Sequence, residues 1–260
     1  MDKFYPGFDI TVNEKNLTFS YGDTVFGPAV ERRKLEDIRQ SLRDPETDGP
    51  IIPYVVAMDV GKKKDQTDLK NRSLLYGAMI YSKGRFGEEP VRSQGHIHAI
   101  SRSCNSSTAE VYEIWQGQAI IYMQETAHDN PGNCYAVKAK AGEVIIVPPG
   151  WAHYTVNANP DRLMAFGAWC IRDYAFDYEE VRAHGGLAYF PILDRENHIS
   201  WEANSSYQAA PIIERAAREY CEFGLVAGIP IYTQYEQNPE CLNFVTQPEM
   251  AKKQWEQFEP

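Results

Sequence analysis

The sequence predicts a mainly β protein, a sandwich or barrel with helices at its ends, and three observations carry that expectation. Between about residues 51 and 195 the chain breaks into short runs rich in β-branched and aromatic residues. Gly, Pro, Asn and Asp separate these runs at regular intervals. Helical periodicity is almost absent between them, which argues against crossover helices and a parallel sheet.

The elements follow in order. Residues 1–50 open with short extended pieces and lead to a helix expected from Glu31 to Leu42, where Leu35, Ile38 and Leu42 share one face and Asp44-Pro45 ends the run. Residues 51–195 hold the strands, expected at 53–58, 73–81, 110–115, 118–124, 134–137, 143–147, 153–156 and 163–170. Trp115-Gln116-Gly117-Gln118 has the composition of a hairpin turn between two of them. Residues 196–260 form a helical extension: Pro211 starts a helix ending near Phe223 with Gly224 as its cap, and Pro248 begins another carrying Met250, Ala251 and Trp255. With no flexible linker at residue 200, these helices are expected to cover the outside of the barrel or to join a partner chain.

The net charge of −10 disfavours nucleic acid as a partner, and the basic runs Glu31-Arg32-Arg33-Lys34 and Lys62-Lys63-Lys64 are short and flanked by acids. No apolar run approaches a membrane span, and the first residues lack a signal-peptide pattern, so a cytoplasmic protein is expected. The five cysteines are scattered and never form Cys-x-x-Cys, as suits reduced thiols.

Chemistry concentrates in two segments. In Gly95-His96-Ile97-His98 the two imidazoles share one strand face, which is half of a metal site for Fe, Mn, Ni or Zn. Glu110 opens the next strand seven positions before Gly117. Gly142 to Asn157 then reads Gly-Glu-Val-Ile-Ile-Val-Pro-Pro-Gly-Trp-Ala-His-Tyr-Thr-Val-Asn, with His153 near its end.

The second segment resembles the second motif of the cupins at every defined position, and His96 to Gly117 resembles the first. The resemblance implies a cupin barrel (a double-stranded β-helix, or jelly roll) with the N-terminal helix and the C-terminal helices packed on it. It implies that His96, His98, Glu110 and His153 converge on one divalent transition metal per chain, iron foremost, with manganese, nickel or zinc as alternatives. Coordination positions left open would make that site catalytic. The chain departs from the motif in one place: eleven residues separate His98 from Glu110, and the excess, Ile100 to Thr108, reads as an inserted polar loop. Glu113 is the rival ligand, but its strand parity is opposite to that of Glu110, so it should point out of the barrel.

Ser-Gln-Gly-His-Ile-His-Ala, Ala-Glu-Val-Tyr and Val-Pro-Pro-Gly-Trp-Ala-His-Tyr-Thr-Val-Asn are similar to the words of the cupin-type glucose-6-phosphate isomerases, as is Phe26-Gly27-Pro28-Ala29. The resemblance spans about residues 20 to 195. It implies interconversion of glucose 6-phosphate and fructose 6-phosphate, a place in glycolysis or gluconeogenesis, and a homodimer. It implies Glu110 as a proton shuttle, Tyr112 orienting sugar oxygens, and Ser93 and Gly95 near the phosphate; Lys83, Arg85 and Arg92 are the neighbouring cations. Two positions depart from the family: Gly150 replaces a tyrosine, and Phe176 replaces a histidine. The competing expectations are a non-catalytic sugar-binding or sensing cupin and a cupin dioxygenase, because the fold alone does not fix the chemistry.

Overall fold

A computed structural model describes residues 3–260. Its centre is two facing sheets. The larger has six antiparallel strands in the order Val144–Val147, Glu110–Gln116, Met164–Ile171, Leu74–Tyr81, Tyr54–Met58 and Glu31–Arg33. The smaller has Ala152–Asn157, Gln118–Gln124, Cys134–Lys140 and Ile212–Ala216, the last running parallel to its neighbour. Alternate residues of both sheets point inward and form one apolar core that includes Tyr81, Tyr112, Ile121, Val137, Ile145 and Phe166. This is the barrel expected from the alternation of short strands.

Both outer faces are covered, which is why strands such as Leu74–Tyr81 are buried at every position. On the larger sheet the covering pieces are the N-terminal strands and the C-terminal helices. Trp169 stacks on Tyr232 and lies 5.1 Å from Tyr235, both on helix Ile231–Gln237. On the smaller sheet the cover is a hairpin of Tyr189–Leu193 and Ile199–Ala203 with Tyr207. Among the described residues no helix is long and apolar enough to cross a membrane.

Three local expectations are corrected. The helix expected from Glu31 to Leu42 is shorter: Glu31–Arg33 pairs with Tyr54–Val56 as an edge strand, helix Leu35–Ile38 follows, and a 3-10 turn ends at Ser41. The apolar face was legible, for Leu35, Ile38 and Leu42 are all buried, but periodicity does not register an open sheet edge waiting for a partner. The same cause turns the expected helix at 211–223 into strand Ile212–Ala216 on the edge of Cys134–Lys140. Ile212 and Ile213 there pack against different cores, on opposite faces of the sheet, as a strand requires and a helix does not allow. Finally, Trp115 to Gln118 is not a hairpin turn. Glu110–Gln116 and Gln118–Gln124 belong to different sheets, and Gly117 is the corner between them. Its φ of +79° and the Leu163 carbonyl, 2.7 Å from where a Cβ would stand, exclude any side chain there.

Glu113 faces outward, as its parity requires, and is sealed under the C-terminal segment. Its carboxylate accepts hydrogen bonds from the Ile231 N–H at 2.7 Å and the Trp115 indole N–H at 3.2 Å. Burial pushes its carboxyl up to about 8, although these two donors pull the other way. A raised acid binds a proton in the folded state that the unfolded chain has already released. The stability contributed is therefore complete in acid, below the ordinary carboxyl value, and is lost as pH rises through about 8. Wild-type stability should fall across that window at up to about 1.4 kcal/mol per pH unit from this group. Glu113→Gln should flatten the profile in urea unfolding at pH 5, 7 and 8.5. Parallel profiles for the two proteins would remove Glu113 as the source.

Candidate metal centre

The inward face of the barrel carries a cluster built by three chain segments. His96 lies beside His153 through a two-way backbone bridge, each N–H donating to the other's carbonyl at 3.0 Å. His98 belongs to a two-residue strand, Ile97–His98, that pairs with Phe176–Asp177. Glu110 enters from the first position of Glu110–Gln116. The four residues offer ligand atoms that all lie within 4.8 Å of one another.

Neighbouring groups aim these side chains. The Nδ1 of His98 faces the Thr108 carbonyl at 2.9 Å, and that of His153 faces the Trp151 carbonyl at 3.1 Å. Each contact fixes the tautomer and turns Nε2 toward the centre. There, His98 Nε2 lies 3.2 Å and His153 Nε2 3.5 Å from Glu110 Oε2. Tyr112 donates its phenol O–H to the same oxygen at 2.7 Å.

The inserted loop contributes more than a connection. The Ser107 hydroxyl donates to the His98 carbonyl at 2.7 Å and accepts from the Gly150 N–H at 2.9 Å. Together with Thr108 it ties the first histidine pair to the turn before His153. Sequence reading gives this segment only as an inserted polar loop, because polar residues in a long connection look alike whether they face solvent or a site.

The electrostatics favour the ligating protonation states of His96, His153 and Glu110, while His98 is shifted toward its protonated form. Burial, reinforced by His153 and His98, holds His96 well below the ordinary imidazole range. Burial also lowers His153, against the opposing pull of Glu110. Burial alone would lower His98 and raise Glu110. The contact between them outweighs it, so that His98 stands above its usual value and the Glu110 carboxyl far below the usual carboxylate range. A divalent cation requires neutral imidazoles beside an ionised carboxylate, so its binding would displace a proton from His98. The Nε2 atoms of His96 and His153 are buried and lack a hydrogen-bond partner. Orphaned nitrogens at the centre of a ligand cluster are costly unless something coordinates them, and by that test the residues fit a metal of the borderline, imidazole-binding kind.

A cavity opens beside the cluster. Its walls include Val56, Met58, Met79 and Phe166, with Tyr54, Tyr81, Tyr174 and Tyr178 between them. Ser93 and Gly95 line it too, and the Ser93 hydroxyl accepts from the Thr155 N–H at 3.0 Å. Gly95 adopts φ +93°, a conformation glycine takes without strain. Phe176 stands 4.3 Å from the His96 ring, between centroids, and closes one side of the centre. The candidate cations near Ser93 lie elsewhere. Arg92 is buried against Glu89, Arg85 bonds to Asn197, and Lys83 lines a separate surface groove. Arg33, on the edge strand, lines the cavity instead. Sequence reading gives it only as part of a short basic run flanked by acids, at the start of an expected helix.

The glucose-6-phosphate isomerase (GPI) family model matches residues 36–209. A glucose-6-phosphate isomerase of Thermococcus onnurineus is 27% identical over 159 residues, covering 59% of this chain and 75% of the relative. One from Pyrococcus horikoshii is 27% identical over 160 residues, covering 59% and 76%. A putative glucose-6-phosphate isomerase of Rhizobium meliloti is 28% identical over 114 residues, covering 44% and 49%. Solved structures similar to this chain include an oxalate oxidase (TM-score 0.37, 11% identity, 50% of this chain and 56% of that one) and the oxalate decarboxylase of Bacillus subtilis (TM-score 0.34, 18% identity, 50% and 28%).

Proposed function

From the premise that this chain belongs to the glucose-6-phosphate isomerase family, we propose that it is a metal-dependent aldose–ketose isomerase of glucose 6-phosphate and fructose 6-phosphate. The observation that carries the metal half is the buried cluster of His96, His98, Glu110 and His153 with two unpartnered imidazole nitrogens. A divalent transition metal held by those four residues would supply Lewis acidity toward the substrate's C1 and C2 oxygens.

The chain's own residues do the rest. Isomerisation moves hydrogen between C1 and C2 of an open-chain sugar and a proton between their oxygens. Glu110 is the base at hand, held ionised by its neighbours. The histidine contacts and the Tyr112 hydrogen bond gather on Oε2, so Oε1 is the atom assigned to take and return the proton. Burial and the nearby Glu110 charge raise Tyr112 well above the usual phenol range. It therefore stays protonated rather than acting as a base: its one O–H positions Glu110, and its oxygen is left to accept from a sugar hydroxyl. The apolar walls from Val56, Met79 and Phe166 exclude water, which strengthens each of these contacts. Ser93 and Gly95 are assigned to the substrate's far end. With Phe176 at the family's histidine position, no imidazole beyond the ligands lines the cavity among the described residues, so ring opening is slow, falls to another group, or is not needed by the substrate.

Metal analysis of the purified protein should find about one transition-metal ion per chain, with chelation abolishing fructose 6-phosphate conversion in a coupled assay. His96→Ala or His153→Ala should lower metal affinity at least ~10–100-fold, the loss typical of weaker, outer-shell changes. Full occupancy in His153→Ala would remove that residue from the centre.

A further inference from the structure

We propose that Arg33 is the cation that receives the substrate's phosphate, which makes the N-terminal edge strand part of the specificity pocket; the proposal rests on the isomerase reading above. The chain carries a net charge of −10, so a phosphate dianion needs local positive charge to enter and stay. Among the described residues lining the cavity, Arg33 is the one basic side chain apart from the ligand histidines. The cations closer to Ser93 in sequence are committed elsewhere. Arg92 spends its guanidinium on Glu89 and on the Ser93 and Ser41 carbonyls, at 1% exposure.

The position suits the task. Arg33 pairs with Tyr54, and Tyr54 pairs with Tyr81, their rings stacked at 4.8 Å. Cross-strand partners share a face, so Arg33 stands with Tyr54 and Tyr81 on the face that lines the cavity. Its charge acts on the hydroxyls of Tyr54, Tyr174 and Tyr178, three further donors for phosphate oxygens. Arg182 adds a second guanidinium behind this group, 4.9 Å from the Tyr178 ring. Val56, Met58, Met79 and Phe166 line the same cavity, an apolar wall that suits the carbon chain of a sugar.

Arg33 is also free to change partners. Its ion pair with Glu31, at 3.1 Å, joins side chains that are 38% and 61% exposed, and such pairs hold weakly. A phosphate offers the guanidinium bidentate, charge-assisted bonds that a solvated carboxylate cannot match. Glu31 is thus a placeholder that competes with substrate.

The test is steady-state kinetics on the metal-loaded enzyme, with fructose 6-phosphate and fructose compared. Arg33→Ala should raise the KM for fructose 6-phosphate about tenfold to a hundredfold. The preference for the phosphorylated sugar should fall by the same factor. Arg33→Lys should recover part of the loss, since a point charge replaces a fork. Glu31→Gln should lower KM. A KM within about twofold of wild type in Arg33→Ala overturns the assignment and leaves the isomerase reading intact. If the wild-type enzyme converts no fructose 6-phosphate, the isomerase reading fails instead. Calorimetric titration with inorganic phosphate then decides on Arg33 alone: weaker binding in Arg33→Ala supports it, and equal binding overturns it.

Discussion

Glu110→Gln should reduce kcat/KM for fructose 6-phosphate by about a thousandfold or more, while Glu113→Gln keeps wild-type turnover. The two carboxylates are three residues apart on one strand, both buried, and they do opposite things because a strand alternates faces. Glu110 is joined at Oε2 by His98, His153 and Tyr112. Its amide replacement removes the negative charge that offsets a divalent cation and removes the proposed base. General-base loss alone is worth about 10²–10⁴-fold, and a weakened ligand set adds to it. Tyr112→Phe separates the contributions. It keeps the carboxylate but frees Oε2 of one donor, so a loss much smaller than that of Glu110→Gln is expected. Metal analysis on each variant distinguishes lost chemistry from lost metal. Equal damage from Glu110→Gln and Glu113→Gln would mean that both carboxylates serve the site, against the geometry.

Alternation of short strands gave away the barrel, because its strands cannot satisfy their inward faces except against one another. The ligands were legible for the same reason: a fixed spacing along a strand fixes which way a side chain points. Other features depended on partners far along the chain. Glu31–Arg33 and Ile212–Ala216 became strands because open sheet edges took them, at Tyr54–Met58 and Cys134–Lys140. Arg33 entered the pocket only through that pairing. Phe176 was visible as a departure from a family pattern, but its seat against His96 comes from the pairing of Ile97–His98 with Phe176–Asp177. The role of Ser107 needed the turn at Gly150, 43 residues away, to be brought beside it. Local pattern thus reports faces and spacings, whereas edge pairing and loop contacts are decided by which backbone groups remain unsatisfied once the sheets have formed.

Arg92→Ala should destabilise the fold by about 3–5 kcal/mol in urea unfolding, the range for breaking one partner out of a buried ion pair. Arg92 and Glu89 are 1% and 2% exposed and meet at 2.6 Å. The remaining guanidinium nitrogens donate to the Ser93 carbonyl at 3.0 Å and the Ser41 carbonyl at 2.6 Å. The other Glu89 oxygen accepts from the Arg43 N–H at 2.8 Å. The guanidinium also lies 5.0 Å from the centre of the Tyr154 ring, a desolvated cation–π contact. One side chain therefore ties the turn after the first helix, the segment leading to His96 and the smaller sheet. Removing it leaves the Glu89 charge buried with one backbone donor, and leaves two carbonyls without theirs. Glu89→Gln should also cost several kcal/mol, since the guanidinium charge then stays buried without its counter-ion. The double variant Glu89→Gln with Arg92→Met should cost clearly less than the sum, because no net charge then remains in the apolar interior. Arg92→Ala should also raise the Michaelis constant, since the Ser93 carbonyl loses its anchor beside the cavity. A loss below about 1 kcal/mol for Arg92→Ala, or full additivity in the cycle, would show that water replaces the guanidinium and that this pair does not anchor the segment leading to His96.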